Sequence, residues 1–348
     1  MKLAYITSIL SPGNDAQSIQ VGAMWQSFGE ILQDDFFVIS PKTKKQKSLK
    51  YKTCTVPFTL NLPRTLRMLI IALTGVFVTK KHGVKTIYTR DILIATIFYY
   101  LGYKVGYEIH KPFETTSGKT LFKLVSNKIK IVAISQALKD FVVNKYNISN
   151  DVLVAHDGYF PKKFLDINKL VASNALHQFT NISLDKKIVL YTGLLNENRG
   201  GKLVIEAAKK LSHISFVLIG RIDPLLIKND LPNNLIVFSS QSQDKIYQYM
   251  VGADVLLLPY TKKLKTWKYH SALKMFEYLA TKTPIVFSDI GSTKEVLNNK
   301  NGYPFLPYVD EISTVISEAL INEPKKVEVD LKKYTWSRRS ENIISFIK

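Results

Sequence analysis

Short runs rich in β-branched and apolar residues alternate with stretches of helical period along the chain. In the first half the runs fall at residues 2–6, 36–39, 86–88, 104–108, 131–134 and 152–155, each the length of a buried strand. In the second half they fall at 187–191, 215–219, 235–238, 254–258 and 284–287, with amphipathic stretches at 201–211, 244–251 and 271–280 between them. Strand and helix in regular alternation predict a parallel sheet covered on both faces. The alternation restarts near residue 186 after the polar, poorly periodic segment 168–185, so two doubly wound α/β sheets in tandem are predicted, with no short-period repeat. Parallel sheets hold ligands beyond the carboxyl ends of their strands. The chemistry is therefore expected in loops that follow strands, facing a cleft between the two domains.

Composition agrees and adds a field. A chain of 348 residues fits two domains, and 46% apolar against 22% charged residues supports a sizeable core and excludes disorder. Lys and Arg number 48 against 28 Asp and Glu, a net charge of +20 that attracts phosphates, nucleic acids or anionic lipid. The excess is concentrated early: residues 1–163 hold 23 basic and 10 acidic side chains, residues 164–348 hold 25 and 18. Within the first half, residues 41–52 carry Lys42, Lys44, Lys45, Lys47, Lys50 and Lys52 with no acid, ahead of an apolar, aromatic stretch through Phe58 and 62–78. That run reads either as a solvated loop or as a contact with an anionic surface. The single cysteine, Cys54, forms no internal disulfide, and no Cys/His cluster has zinc spacing, so a reducing compartment, the cytoplasm, is expected. The apolar start 3–10 follows one lysine and breaks at Ser11-Pro12-Gly13 with no small-residue cleavage site, which predicts a first strand and not a signal peptide. The longest apolar run, 68–78, is interrupted by Thr74 and Gly75 and falls short of the roughly 20 residues that span a bilayer.

Four loops hold candidate chemistry. In residues 8–17, Gly13 would let backbone approach a ligand ahead of the helical stretch 18–32, although the same residues fit an ordinary strand-to-helix turn. The run 103–110 ends in His110, placed to donate a hydrogen bond or to handle a proton near neutral pH. After the strand at 187–191, Gly193 frees space, Arg199 supplies a fixed cation, and Gly200 and Gly201 open a helix, an arrangement suited to a diphosphate. It is neither a GxGxxG fingerprint nor a P-loop, so simple NAD binding and ATP hydrolysis lose support. In 271–280, Leu273, Phe276 and Ala280 share a core face while Lys274 and Glu277 lie three apart on another. Those two form either a surface ion pair or part of a site. In the site, the amides of Ser271, Ala272 and Leu273 would hold a phosphate, and Glu277 would accept from two vicinal hydroxyls such as a ribose's.

On these residues the chain resembles the retaining glycosyltransferases of family four, the glycogen-synthase-like group with the GT-B fold. The segment 271–280 (SALKMFEYLA) with Pro284-Ile285-Val286 resembles that family's donor-binding helix and following strand, 191–207 its diphosphate loop, 216–220 its second strand, and Asn301-Gly302 a further family pattern. Tyr88-Thr89-Arg90, Glu108-Ile109-His110 and Ile134-Ser135-Gln136 recur in family order, and 334–337 resembles the last helix. The likeness is dense over 188–305 and loose before 85. It implies an acceptor-binding Rossmann-like domain over 1–165, with a terminal helix 337–348 packing back on it, and a nucleotide-sugar domain over 166–336. It implies that Glu277 binds the ribose, that His110 touches the donor sugar near the reacting carbon, and that Arg199 and the amides of 271–273 hold the diphosphate. Gly193, Tyr269 and Lys274 would line the donor, Gly13 would lie beside the phosphates or the acceptor, and Arg221 and Phe238 beside the base. Two positions depart from the pattern: Leu194 stands where an arginine is usual, and Tyr269 where a first glutamate is usual.

The activity implied is transfer of a sugar from a UDP- or GDP-sugar to a glycan or lipid-linked acceptor in cell-surface polysaccharide or glycoconjugate synthesis, by attack on the face the diphosphate leaves. No Asp-x-Asp triplet occurs, so neither a metal nor another cofactor is implied; fixed cations and helix N-termini would take the developing charge. The basic first half adds an expected peripheral contact with an anionic membrane at the inner face. A nucleotide-sugar 2-epimerase shares the fold and is the alternative. Without a recognition-helix, zinc-finger or RNP-like motif, no nucleic-acid partner is expected.

Overall fold

A computed structural model describes residues 1–9, 11, 15–42, 51–57, 62–227, 231–322 and 330–348. The chain divides into two compact units: unit 1 is Met1–Asp157 with Lys333–Lys348, and unit 2 is Gly158–Lys332.

Unit 1 runs β1 (Leu3–Ile6), α1 (Ala16–Leu32), β2 (Phe36–Pro41), β3 (Lys52–Val56), α2 (Arg64–His82), β4 (Thr86–Thr89), α3 (Ile92–Tyr100), β5 (Lys104–Ile109), α4 (Thr116–Val125), β6 (Lys130–Ala133), α5 (Gln136–Tyr146) and β7 (Val152–Val154). The sheet is parallel, in the order β3-β2-β1-β4-β5-β6-β7. Helices on both faces explain why β1, β2 and β4 are buried along their whole length and read as continuous apolar runs, not alternating ones. Tyr5, Trp25, Phe28 and Tyr88 pack edge-on or tilted in the core. Gly75 seats α2 close to the sheet: a Cβ there would stand 3.0 Å from Ile6 Cδ1.

Unit 2 runs α6 (Lys169–Thr180), β8 (Ile188–Leu195), α7 (Gly201–Lys210), β9 (Ser215–Ile222), β10 (Leu235–Phe238), α8 (Gln243–Gly252), β11 (Val255–Leu258), α9 (Leu273–Thr281), β12 (Ile285–Ser288), β13 (Tyr303–Phe305) and α10 (Val309–Ile321). Its sheet is also parallel, in the order β10-β9-β8-β11-β12-β13, over a core that includes Tyr191, Val204, Phe216, Leu257 and Ile316. The last helix, α11 (Trp336–Ile347), belongs to unit 1 and packs on α1. In unit 2 the strand order reverses between β8 and β11, which makes their carboxyl ends the place to look for a ligand.

Three elements differ from the sequence expectation. Lys52 starts an edge strand instead of ending a loop, because Thr53, Thr55 and Val56 are β-branched and pair with β2; a lysine on an exposed edge is ordinary. Of that lysine run, Lys44, Lys45, Lys47 and Lys50, with Phe58 beyond it, lie outside the described residues. The segment read as poorly periodic contains α6, whose buried stripe is only Ala172, Leu176, His177 and Thr180. Its ends are set by Asn168, which accepts from the amides of Leu170 and Val171, and by Asn181 in the left-handed region. β13 is three residues with a proline at its centre, too short to show a pattern. Among the described residues no helix is long and apolar enough to cross a membrane.

Candidate functional site

In unit 2 the site is built at the switch point. Gly193, at the carboxyl end of β8, is exposed at φ +103°, and a Cβ there would come 3.3 Å from Lys274 Nζ. Lys274 lies in the first turn of α9, which follows β11, and its ammonium folds back to donate to the Thr192 carbonyl, 4.1 Å from the Tyr191 ring centre. Thr192 is itself held by the buried Tyr278, whose hydroxyl accepts from the Thr192 amide at 3.2 Å. Burial and the nearby Arg199 charge pull the Lys274 ammonium down to about 7, against the opposing pull of Glu277. No ion pair joins Lys274 to Glu277, so the surface-pair reading of their spacing is not what forms: the carbonyl and the ring have taken the lysine.

Glu277 accepts from the Tyr247 hydroxyl at 3.2 Å, and Tyr247 rests on Phe164 with ring centres 4.8 Å apart. Burial pushes the Glu277 carboxyl above its ordinary value, partly offset by Tyr247, Lys274 and Gln243. Arg199 closes a short turn, Glu197–Arg199, fixed by the Asn196 side chain, which accepts from the Arg199 amide at 3.0 Å. The guanidinium reaches only the Leu194 carbonyl, at 3.5 Å, and among the described residues no carboxylate pairs with it. Glu197, the nearest in sequence, is engaged by Lys202 and Lys263. Gly200, at φ +81°, packs against the strand-end loop after β11; a Cβ there would fall 1.8 Å from the Pro259 carbonyl oxygen. No side chain caps the first turn of α9, whose N-cap is Ala272; the Met275 amide bonds to the Ala272 carbonyl at 2.9 Å, and the amides of Leu273 and Lys274 with the positive dipole end remain for an anion. Two cations, bare helix amides and a glycine without a side chain thus converge, and Glu277 lies one turn further along α9.

In unit 1, Glu108 and His110 lie two apart and so on one side of the extended chain at the end of β5. Their side chains are hydrogen-bonded to each other through His110 Nε2 and Glu108 Oε1. Burial works to raise the Glu108 carboxyl, yet Arg339 at 3.0 Å, His110 and Arg90 hold it well below the usual carboxylate range. The same burial, with Arg90, lowers His110 to about 4, so the ring is neutral at pH 7. A neutral ring beside an ionised carboxylate carries its proton on Nε2, which leaves Nδ1 as an acceptor. Arg339 comes from α11 and also donates to the His156 carbonyl at 2.9 Å, and Arg90 donates to Gln20 at 2.8 Å.

The remaining sequence candidates are scattered. Tyr269 and Ser271 precede α9, and Leu273 begins it. Arg221 is exposed on β9, in register with Leu194 on β8. Phe238 is tilted against Phe179 at 4.8 Å, and Phe179 stacks on Tyr249, which makes Phe238 part of the packing around α6 and α8. Gly13 lies outside the described residues. The residues that sequence reasoning passed over are the holders: Thr192, Tyr278, Tyr247, Glu108 and Arg339. Only Glu108 left a readable trace, its two-residue spacing from His110.

The family model of the glycosyl transferases group 1 matches residues 173–337. Residues 173–337 belong to the group 1 glycosyl transferases. This group 1 segment holds Gly193, Arg199, Lys274 and Glu277. Among curated proteins, the chain is 24% identical over 172 residues to the processive diacylglycerol alpha-glucosyltransferase of Acholeplasma laidlawii, covering 45% of this chain and 50% of that one. It is 21% identical over 261 residues to the lipopolysaccharide 1,2-N-acetylglucosaminetransferase of Salmonella typhimurium, covering 69% and 62%. The chain thus spans about half to three-fifths of the length of these relatives. Among solved structures, Anabaena HepE in complex with UDP superposes with a TM-score of 0.73 over 100% of this chain and 96% of that one, at 14% identity. At that identity the likeness shows the fold, GT-B, which the two parallel-sheet units also display.

Proposed function

We propose that this protein is a retaining glycosyltransferase. It would move a sugar from a nucleotide diphosphate sugar to a glycan or lipid-linked acceptor in cell-surface glycan synthesis. One observation carries the reading: Lys274 and Arg199, which form no ion pair among the described residues, meet beside Gly193 and the uncapped start of α9 in the group 1 segment. Cleaving a glycosyl–phosphate bond leaves a diphosphate whose terminal phosphate gains a second negative charge. Preorganised cations and amides stabilise that developing charge without reorganising, the role a metal ion has in other transferases. Lys274, poised near 7, takes up a proton as the anion arrives and then bears its full charge where the leaving group needs it. Glu277, held by Tyr247, accepts from the ribose hydroxyls. His110 in unit 1, with Nδ1 free to accept, is assigned to a hydroxyl of the donor sugar, and the departing phosphate takes the acceptor's proton on the face it leaves.

HepE holds UDP, and the two curated relatives are named for lipid or lipopolysaccharide acceptors; both support a UDP-sugar and a lipid-linked acceptor here. The test is calorimetric titration of the protein and of Glu277→Ala with UDP. The variant is expected to stay folded and to bind about tenfold or more weakly, the loss of a charged hydrogen-bond acceptor. Unchanged affinity in a folded variant overturns the ribose assignment. Conversion of the nucleotide sugar to an isomer with no acceptor present overturns transfer in favour of an epimerase.

A further inference from the structure

Helix α2 has two apolar faces where one would suffice. Ile71, Ala72, Gly75 and Thr79 are buried against the sheet of unit 1. On the opposite side Leu66, Leu69, Leu73 and Phe77 are 45%, 38%, 71% and 68% exposed, spaced three, four and four apart and hence in one stripe. Four large apolar side chains along three helical turns are a poor match for water, and scattered exposure does not produce such a row. The polar groups within the helix are answered internally: Thr74 donates to the Ile70 carbonyl at 3.0 Å and Thr79 to the Gly75 carbonyl at 2.7 Å.

Charge identifies what covers the stripe. α2 holds Arg64 and Arg67 in its first turn, where Arg64 lies 3.8 Å from the Asp91 carboxylate and Arg67 Nε is buried, and Lys80 and Lys81 in its last, with no acidic residue between. Lys80 and Lys81 are exposed and, among the described residues, have no ion-pair partner. A row of Leu and Phe that ends beside two exposed lysines matches the boundary of an anionic bilayer, where apolar side chains enter the acyl region and lysines meet phosphates. The buried opposite face keeps α2 on unit 1, so it would lie along the membrane and not across it.

We propose that α2 docks unit 1 on anionic lipid, with Leu66, Leu69, Leu73 and Phe77 inserted at the headgroup level. This stands apart from the sugar-transfer reading, because lipid binding is measured with no donor or acceptor present. The experiment is co-sedimentation of the full chain with phosphatidylcholine vesicles, with and without phosphatidylglycerol, alongside Leu73→Glu/Phe77→Glu and Lys80→Glu/Lys81→Glu. Both pairs are exposed, and circular dichroism should report native folds. Wild type is expected to bind the mixed vesicles, and each double variant to bind about tenfold or more weakly. A separate variant, Phe77→Trp, is expected to gain a blue-shifted emission on adding the mixed vesicles. Binding indifferent to lipid charge, folded variants that bind like wild type, or an unmoved emission from Trp at 77 would each overturn the proposal. So would sedimentation velocity showing a lipid-independent dimer abolished by Leu73→Glu/Phe77→Glu, since a second copy would then be what covers the stripe.

Discussion

The ends of β5 and β8 both gather positive side chains, and they use them in opposite ways. At β5, Arg339 and Arg90 surround the carboxylate of Glu108, and Arg90 also finds Gln20; Arg339 and Glu108 are only 3% and 1% exposed. At β8, among the described residues, Lys274 and Arg199 meet carbonyl oxygens and a ring and form no ion pair. A cation answered by a buried carboxylate is fixed as part of the framework. A cation answered only by neutral dipoles keeps its pull on an anion from outside. The first cluster holds His110 in one protonation state; the second leaves its charge available to an anion.

The sharpest way to break the comparison is to remove one cation from each cluster. Arg339→Met strands a buried carboxylate and is expected to cost about 3–5 kcal/mol by urea denaturation. Arg199→Met, with no carboxylate to strand, should leave stability within about 0.5 kcal/mol of wild type while weakening UDP about tenfold in a calorimetric titration. A large stability loss from Arg199→Met would show that the two ends are not different in kind. Next in size is pH. Because Lys274 is charged below about 7 and neutral above, its share of UDP binding should weaken about threefold between pH 6.5 and 7.5, read as the difference from Lys274→Met. Across pH 7 to 10 the unfolded chain holds the proton that folded Lys274 has shed, so this residue makes stability rise with pH in that window. The smallest expected effect belongs to His110. Its folded value near 4 lies below the ordinary 6.5, so its contribution to stability is lost as pH falls from 6.5 toward 4. His110→Gln should flatten that part of the urea-midpoint profile.

Sequence periodicity located the eleven strands it predicted because buried parallel strands are apolar on both faces, a signal that needs no partner to be read. It missed β3, where a lysine run hid an edge, and α6, whose buried stripe is too narrow to stand out from polar neighbours. At the site, Lys274 and Glu277 were legible as a spaced pair, but not that the lysine turns to Thr192, 82 residues earlier. Spacing along a helix gives the neighbours on that helix and says nothing of which other strand end lies within reach. Arg339 was illegible for the same reason: nothing near it in sequence carries the carboxylate that needs it.

The arginine that steadies Glu108 follows the whole of unit 2 along the chain, while the strand it serves precedes unit 2. A ribosome must therefore finish unit 2 before the sheet of unit 1 receives this helix. During synthesis the later-made unit has all its parts first, and until α11 emerges Glu108 has no Arg339 beside it.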